Sequence, residues 1–257
     1  LRASLSDLYC KGIKPESYFL SFTLNKKLAT SSWLRKIKNI LNSEQKKFNI
    51  SLAGGDTVHS SKLIITIIVL GNTKYKPVYR HKCVFKDDIY VTGSIGDSYL
   101  GLNVLKKKMD FGKYNSFFKK KYYEPDLQTK MSPYLRKIAS SSIDISDGLA
   151  QDLQHLCNNS KCGAFINLNL LPLSSFCKNL LNSKKIKLKN IFSKGDDYQI
   201  LFTSKRKYRT KITNLSKRLN IIISKIGLIN KDKKIVFMHN EHKFTLSTNE
   251  TGYIHNF

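Results

Sequence analysis

The chain has no long hydrophobic run, few acidic residues and none of the common glycine signatures for nucleotide phosphates, and each absence removes a class of protein. Its longest apolar stretch, Leu63 to Leu70 broken by Thr66, is far shorter than the roughly 20 residues a helix needs to cross a bilayer. A membrane-spanning helix is therefore excluded. The opening, Leu-Arg-Ala-Ser-Leu-Ser-Asp-Leu, has neither an initiating Met nor a basic start followed by a hydrophobic run, so no leader is read there. It reads as a cut into the middle of a helix. Cysteines number five, Cys10, Cys83, Cys157, Cys162 and Cys177; the count is odd and no CxxC spacing occurs, which points to reduced thiols in a cytoplasmic protein. His155, Cys157 and Cys162 lie close together but lack a fourth ligand at finger or ribbon spacing. There is no GxxxxGK[ST] loop, no GxGxxG in a dinucleotide setting and no Gly-x-Ser-x-Gly elbow. If ATP binds, carboxylate-held metal must do what a P-loop lysine does elsewhere.

Acid is the scarcest chemistry: 18 Asp+Glu stand against 45 Lys+Arg in 257 residues, a formal charge of +27. Such a charge attracts polyanions without sequence preference. The lysines are spread through almost every segment among Asn and Ile, however, with only short runs such as Lys119 to Lys121. No basic arm with interleaved aromatics marks a specific nucleic-acid reader.

Periodicity predicts alternating elements. A helix over residues 1–10, with Leu1, Leu5 and Leu8 on one face, stops at Gly12, and a strand follows over 18–24. A helix over 32–47 turns Leu34, Ile37, Ile40 and Leu41 inward, and strands are expected over 49–53 and 63–70. A lysine-rich connection then runs to Lys86, where a boundary is placed between residues 1–86, read as a two-layer α/β domain, and 87–257, read as α+β. In the second part a strand over 89–92 enters a helix over 97–107. A strand over 142–145 enters a helix over 147–158 carrying Leu149, Leu153 and Leu156 at i, i+4, i+7. Further strands are expected at 164–168, 198–203, 220–226 and 234–238, with a basic helix over 207–219.

In a chain this poor in acid, carboxylates sit beside glycine more often than a solvated surface needs. The clusters are Ser6-Asp7, Gly54-Gly55-Asp56-Thr57, Asp144-Ile145-Ser146-Asp147-Gly148 and Gly195-Asp196-Asp197-Tyr198. Hard cations such as Mg²⁺ take carboxylate oxygens and are shared with substrate phosphates, and glycine lets main chain approach phosphate closely. Taken singly, each has a plain alternative: a helix cap at Ser146 or Asp147, a turn between strands at Gly54–Thr57, a loop entering the strand at Tyr198. Their joint occurrence at the mouths of strands and helices points to a phosphate and metal site.

The order and spacing of these clusters resemble the thiamine-monophosphate kinase family, within the aminoimidazole-ribonucleotide-synthetase-like superfamily. The resemblance runs through Leu5-Ser6-Asp7-Leu8, Ala53–Thr57, Tyr90-Val91-Thr92-Gly93-Ser94-Ile95-Gly96-Asp97-Ser98, Ile143–Leu149, Leu171-Pro172-Leu173-Ser174, Gly195–Tyr198 and Gly252-Tyr253 with His255. It implies a two-domain fold of that superfamily with an incomplete N-terminal domain, and transfer of the ATP γ-phosphoryl group to thiamine monophosphate with Mg²⁺. It further implies that Asp7, Asp56, Asp144 and Asp147 ligate Mg²⁺, with Asp56 and Asp147 catalytic. By the same resemblance Gly55, Asp56, Arg80 and Ser146 contact ATP, Asp196 and Tyr253 contact the thiamine phosphate, and the complete protein is a homodimer. Ser4, His59, Lys194, Asp196 and Gln199 depart from the family's usual Asn, Arg, Gly, Glu and Glu. Two other readings stay open: another ATP-dependent synthetase or a carbamoyl-processing maturation factor of the same superfamily, and a non-catalytic basic nucleic-acid-binding protein.

Overall fold

In the computed structural model, which describes residues 1–27, 29–246 and Gly252, the strands fall into two sheets. Helix α1 (Arg2–Tyr9) buries Leu5 and Tyr9. After it Gly12 turns the chain at φ +74°, and a Cβ there would stand 2.8 Å from Cγ of Arg136, so glycine is needed both for the turn and for the passage of that side chain. Strand β1 (Lys14–Leu24) is the centre of a three-stranded sheet in the order β2-β1-β3, with β2 (Ser51–His59) parallel to it and β3 (Ile64–Asn72) antiparallel. The parallel pair needs a crossover, which helix α2 (Ser31–Phe48) supplies. Thr30 caps α2 by accepting the Trp33 N–H, and Asn49 ends it in a left-handed turn.

Two sequence expectations change here. The inward face of α2 is Trp33, Ile37, Leu41 and Phe48, of which Phe48 is buried, whereas Leu34 and Ile40 are 44% and 59% exposed. Leu34 and Ile40 lie one position off the stripe set by the 3.6-residue repeat. The segment Gly54-Gly55-Asp56-Thr57 is no turn between strands but the interior of β2.

The second sheet has the order β10-β9-β6-β8-β4-β7-β5. Its central strands β4 (Asp88–Thr92) and β7 (Ile200–Ser204) are buried at every position, as expected of a sheet covered on both faces. Between and after them run α3 (Asp97–Leu105), α4 (Asn115–Tyr123), α5 (Ser132–Ile138), β5 (Ala139–Asp144), α6 (Leu149–Ser160), β6 (Gly163–Asn167), α7 (Ser175–Asn182), α8 (Leu188–Ser193), α9 (Arg209–Leu219), β8 (Ile223–Asn230), β9 (Ile235–His239) and β10 (His242–Phe244). On one face Ile89, Val91 and Leu201 pack with Leu149, Leu153 and Leu156 of α6. On the other, Tyr90 and Phe202 stack with centroids 5.2 Å apart and meet Leu135 of α5 and Leu215 of α9. Buried Asp88 is matched by Arg209, whose Nε and Nη2 donate at 2.6 and 2.7 Å. Among the described residues no helix is long and apolar enough to cross a membrane.

Candidate active site

Strand β5 ends at Asp144, whose side chain is buried beneath α1. The Ser6 hydroxyl donates to its Oδ2, and the Cys10 thiol lies 3.9 Å from Oδ1. Burial holds this carboxyl above its ordinary range. The Ser6 bond and Lys11 oppose the shift, and the neighbouring charge of Asp7 adds to it. The chain then turns through Ser146 and Asp147 to Gly148, at φ +123°, where a Cβ would press on the backbone of Ser193 at 2.8 Å. The turn is held from within α6. Oδ2 of buried Asp152 accepts the N–H groups of Ser146, Asp147 and Gly148 at 3.0, 3.1 and 3.2 Å. Burial, with Asp147 and Asp144 repelling, pushes the Asp152 carboxyl up to about 8.

A second loop is locked against this one. A Cβ on Gly195 would fall 1.9 Å from the Ser146 carbonyl oxygen, so only glycine allows the two backbones to touch. Beyond it the Asp196 N–H donates to Ser146 O at 2.9 Å and the Tyr198 N–H to Ile145 O at 2.8 Å. Asp196 and Tyr198 adopt φ +71° and +50°, a costly conformation for side-chain-bearing residues that clusters at functional sites. The Tyr198 hydroxyl donates to Asp196 at 3.4 Å. Burial raises the Asp196 carboxyl; Tyr198 opposes, Asp147 adds repulsion and Lys106 opposes. Asp196 and Tyr198 line a cavity of about 720 Å³ whose other wall includes Arg2 and Ala3 of α1 and Ile40 and Glu44 of α2. Arg2 grips Glu44 with a two-pronged pair at 2.7 Å each.

The structure thus gathers Asp144, Ser146, Asp147 and Asp196, with Asp7 at the edge where its charge reaches Asp144. Among the described residues, Gly55, Asp56 and Arg80 are not bonded to this cluster. Asp56 is exposed on β2, accepting its neighbour Thr57's N–H at 2.8 Å, and Gly55 lets β2 approach Leu20 so closely that a Cβ would sit 1.8 Å from its carbonyl oxygen. Arg80 is exposed, and its carbonyl accepts from Ser160 at the far end of α6, a helix about 18 Å long by its residue count. No hydrogen bond or ion pair joins Asp56 or Arg80 to the carboxylate cluster among the described residues. Tyr253 lies outside the described residues. Its neighbour Gly252 packs on Gln151, where a Cβ would meet Oε1 at 2.1 Å, and Gln151 Nε2 donates to Asp147 at 3.2 Å.

The donor set fits a hard cation. Asp144, Asp152 and Asp196 are all held toward the protonated form by burial and by neighbouring carboxylates, Asp7 beside Asp144, Asp147 and Asp144 beside Asp152, and Asp147 beside Asp196, in a chain otherwise overwhelmingly basic. A divalent ion would reverse that repulsion, and carboxylate oxygens are what Mg²⁺ takes. Among the described residues the set of three or more metal-binding side chains already within 4.8 Å of one another is Asp147, Asp152 and His155, rather than the four aspartates expected from sequence.

The family model for AIR synthase related protein, N-terminal domain, matches residues 1–73. Thiamine-monophosphate kinase of Buchnera aphidicola subsp. Schizaphis graminum is 36% identical over 249 residues, covering 91% of this chain and 75% of that protein. The chain belongs to the thiamine-monophosphate kinase family. The crystal structure of the family member from Stenotrophomonas maltophilia K279a superposes at TM-score 0.84, with 24% identity, over 92% of this chain and 76% of that one. The AaThiL complex with AMPPCP and TMP does so at TM-score 0.81, with 24% identity, over 93% and 74%. These likenesses establish the mixed α/β, aminoimidazole-ribonucleotide-synthetase-like fold.

Sequence reasoning missed Asp152 and the part played by Gln199. Asp152, beside Leu153 of the apolar stripe, receives no role from the sequence pattern; the signal available was its place in the first turn of a helix whose preceding turn has three N–H groups to satisfy. Gln199, which departs from the family's Glu, is buried, accepts from Thr92 Oγ1 and Gln128 Nε2 at 3.1 and 2.8 Å, and donates to Asp126 O at 3.0 Å. Its amide supplies donor and acceptor together, which a carboxylate cannot.

Proposed function

We propose that this chain transfers the γ-phosphoryl group of ATP to thiamine monophosphate, giving thiamine diphosphate and ADP, by Mg²⁺-dependent direct in-line displacement. The observation that carries the reading is the gathering of Asp144, Asp147 and Asp196, with Asp7 beside them, where two loops interlock, Asp196 also lining a cavity of about 720 Å³. Family relatives named for this kinase activity and a related structure holding AMPPCP and TMP supply the substrate pair. Asp7, Asp56, Asp144 and Asp147 would hold Mg²⁺, which when bound neutralises the polyphosphate and the charge of the transferred group. Gly55, Asp56, Ser146 and Arg80 would bind ATP, Arg80 as a fixed cation. Asp196 would orient the thiamine phosphate, and Tyr253 would stack on its cationic ring. The substrate's terminal phosphate oxygen attacks the γ-phosphorus, and the protein contributes position and charge rather than a covalent intermediate.

The proposed organisation is an ATP- and metal-binding unit over 1–86 and an α+β unit over 87–257. Support comes from the small sheet ending at Asn72 and the large one beginning at Asp88. The proposed assembly is a homodimer in the cytoplasm. Val58 of β2 and Ile64, Ile68 and Leu70 of β3 are exposed on one face of the small sheet, an apolar face of the kind that protein contacts cover, and five free thiols suit a reducing compartment. The test is product formation by the purified chain from thiamine monophosphate and ATP across a Mg²⁺ titration, followed chromatographically. The reading requires metal-dependent thiamine diphosphate that disappears in Asp147→Asn without loss of the folded state. Turnover at wild-type rate in that variant would remove the reading.

A further inference from the structure

A second cavity, of about 460 Å³, lies where the end of α1, the start of β1, the end of α2 and the start of α5 meet. Its chemistry is the reverse of the carboxylate cleft. Lys14, Lys47, Lys74 and Arg136 line it, and no acidic side chain does among the described residues. With 45 basic residues in the chain, lysines at a rim mean little by themselves. Arg136 is different. Its stem crosses Gly12, where a Cβ would block it, and its guanidinium carbon sits 4.6 Å from the centroid of the Tyr75 ring. Nη1 reaches Thr73 Oγ1 only at 3.3 Å, while Nε is buried without any partner. No ion pair satisfies it among the described residues. A buried guanidinium N–H left unpaired is costly, and the fork it belongs to matches the oxygens of a phosphate. Tyr9, Phe48 and Tyr75 also line the cavity, giving broad aromatic surface for a flat ring, and its volume falls in the range of small-molecule sites.

We propose that this cavity is a second binding site, separate from the carboxylate cleft, for a phosphorylated organic anion carrying a flat ring, with Arg136 as its phosphate anchor. Lys47 lines both this cavity and the carboxylate cleft, so an occupant here adjoins the wall of the other. Binding at this site does not depend on the kinase reading.

The two sites separate by their need for metal. In EDTA the uncompensated cluster of Asp144, Asp147 and Asp196 repels anions, whereas the Arg136 cavity attracts them. Calorimetric titration of the full chain with ADP in EDTA at moderate salt is expected to show saturable binding that weakens at least about tenfold in Arg136→Gln, the loss of one hydrogen-bonded charge contact. Affinity is expected to be unchanged in Asp147→Asn and partly retained in Arg136→Lys. Inorganic pyrophosphate, which lacks the ring, is expected to bind more weakly at the same place. If Arg136→Gln lowers the melting temperature, the double variant Lys14→Gln/Lys74→Gln decides, with the same weakening expected. Absence of saturable ADP binding, or affinity untouched by both sets of variants, overturns the proposal.

Discussion

Replacing Asp152 by alanine tests whether the Ser146–Gly148 turn is held from behind by α6. The side chain that disappears supports the backbone of the proposed ligand residues Ser146 and Asp147: its Oδ2 accepts three successive N–H groups at 3.0, 3.1 and 3.2 Å. Of these the Gly148 bond is buried and the other two are part-buried, so water can replace some of what is lost. Leaving one buried N–H unpaired costs roughly 1–3 kcal/mol, and each rehydratable bond contributes about 0.5–1 kcal/mol. The expected loss is therefore about 2–5 kcal/mol, which for a chain of this size lowers the melting temperature by roughly 4–20 °C. Asp152→Asn keeps an oxygen acceptor of the same shape and is expected to lose less than half as much. Because the turn carries Ser146 and Asp147, Asp152→Ala is also expected to lower kcat far more than it raises the KM for thiamine monophosphate. Urea unfolding and steady-state kinetics on wild type, Asp152→Ala and Asp152→Asn measure both effects. If the alanine variant unfolds within about 0.5 kcal/mol of wild type, or alanine and asparagine behave alike, the three bonds do not hold the turn.

Three further outcomes are expected. Asp144→Asn and Asp147→Asn should each lower turnover at saturating Mg²⁺ by more than about 100-fold while melting stays near wild type or rises, since a repulsive charge is removed from a crowded cluster; paired activity and calorimetry decide. Gly195→Ala, whose Cβ would collide with Ser146 O at 1.9 Å, should displace the Asp196 loop and abolish activity, and retention of activity would mean the loops are not interlocked. Asp97, buried at the start of α3 with Oδ2 unpartnered, has its carboxyl pushed up to about 6 by burial, against the opposing effects of Ser174 and Lys121. The folded state therefore holds this proton more tightly than the unfolded chain, whose carboxyl titrates near 3.9. Stability should fall by about 2 kcal/mol as pH rises from about 4 to about 6, and Asp97→Asn should flatten that fall in urea unfolding curves taken across the interval.

How much of this was legible in sequence depended on whether the deciding contact was local. Strands such as Asp88–Thr92 and helices such as Leu149–Ser160 announce themselves because their apolar period is written in consecutive residues. Helices Asn115–Tyr123 and Ser132–Ile138 do not: Phe118 and Leu135 are each buried against distant partners, and the lysines around them blur the pattern. Gly54-Gly55-Asp56-Thr57 looks like a turn because glycine pairs usually make one. Only the approach of Leu20 from β1 explains Gly55 in a strand. The same limit applied to the site. Carboxylates beside glycines pointed to Asp144, Asp147 and Asp196, but the reason for Gly195 lies in a carbonyl some fifty residues earlier in the chain, and the support from Asp152 depends on a turn that its own sequence position does not display.

The contact between Gly195 and Ser146 also decides which parts of the cleft can be exchanged or moved. With Asp196 and Tyr198 bonded to the backbone of Ile145 and Ser146, and Asp152 holding the same turn from behind, the two loops behave as one rigid wall. Neither can be transplanted from a relative without the other, and an insertion in one would unseat both. The opposite wall is lighter. Along its eighteen residues α2 has one buried side chain, Phe48, and it meets α1 through the Arg2–Glu44 pair and the packing of Phe48 on Tyr9 and Arg2. Any widening of the cavity is expected to fall on α2 rather than on the Asp196–Tyr198 side, and would part the Arg2–Glu44 pair.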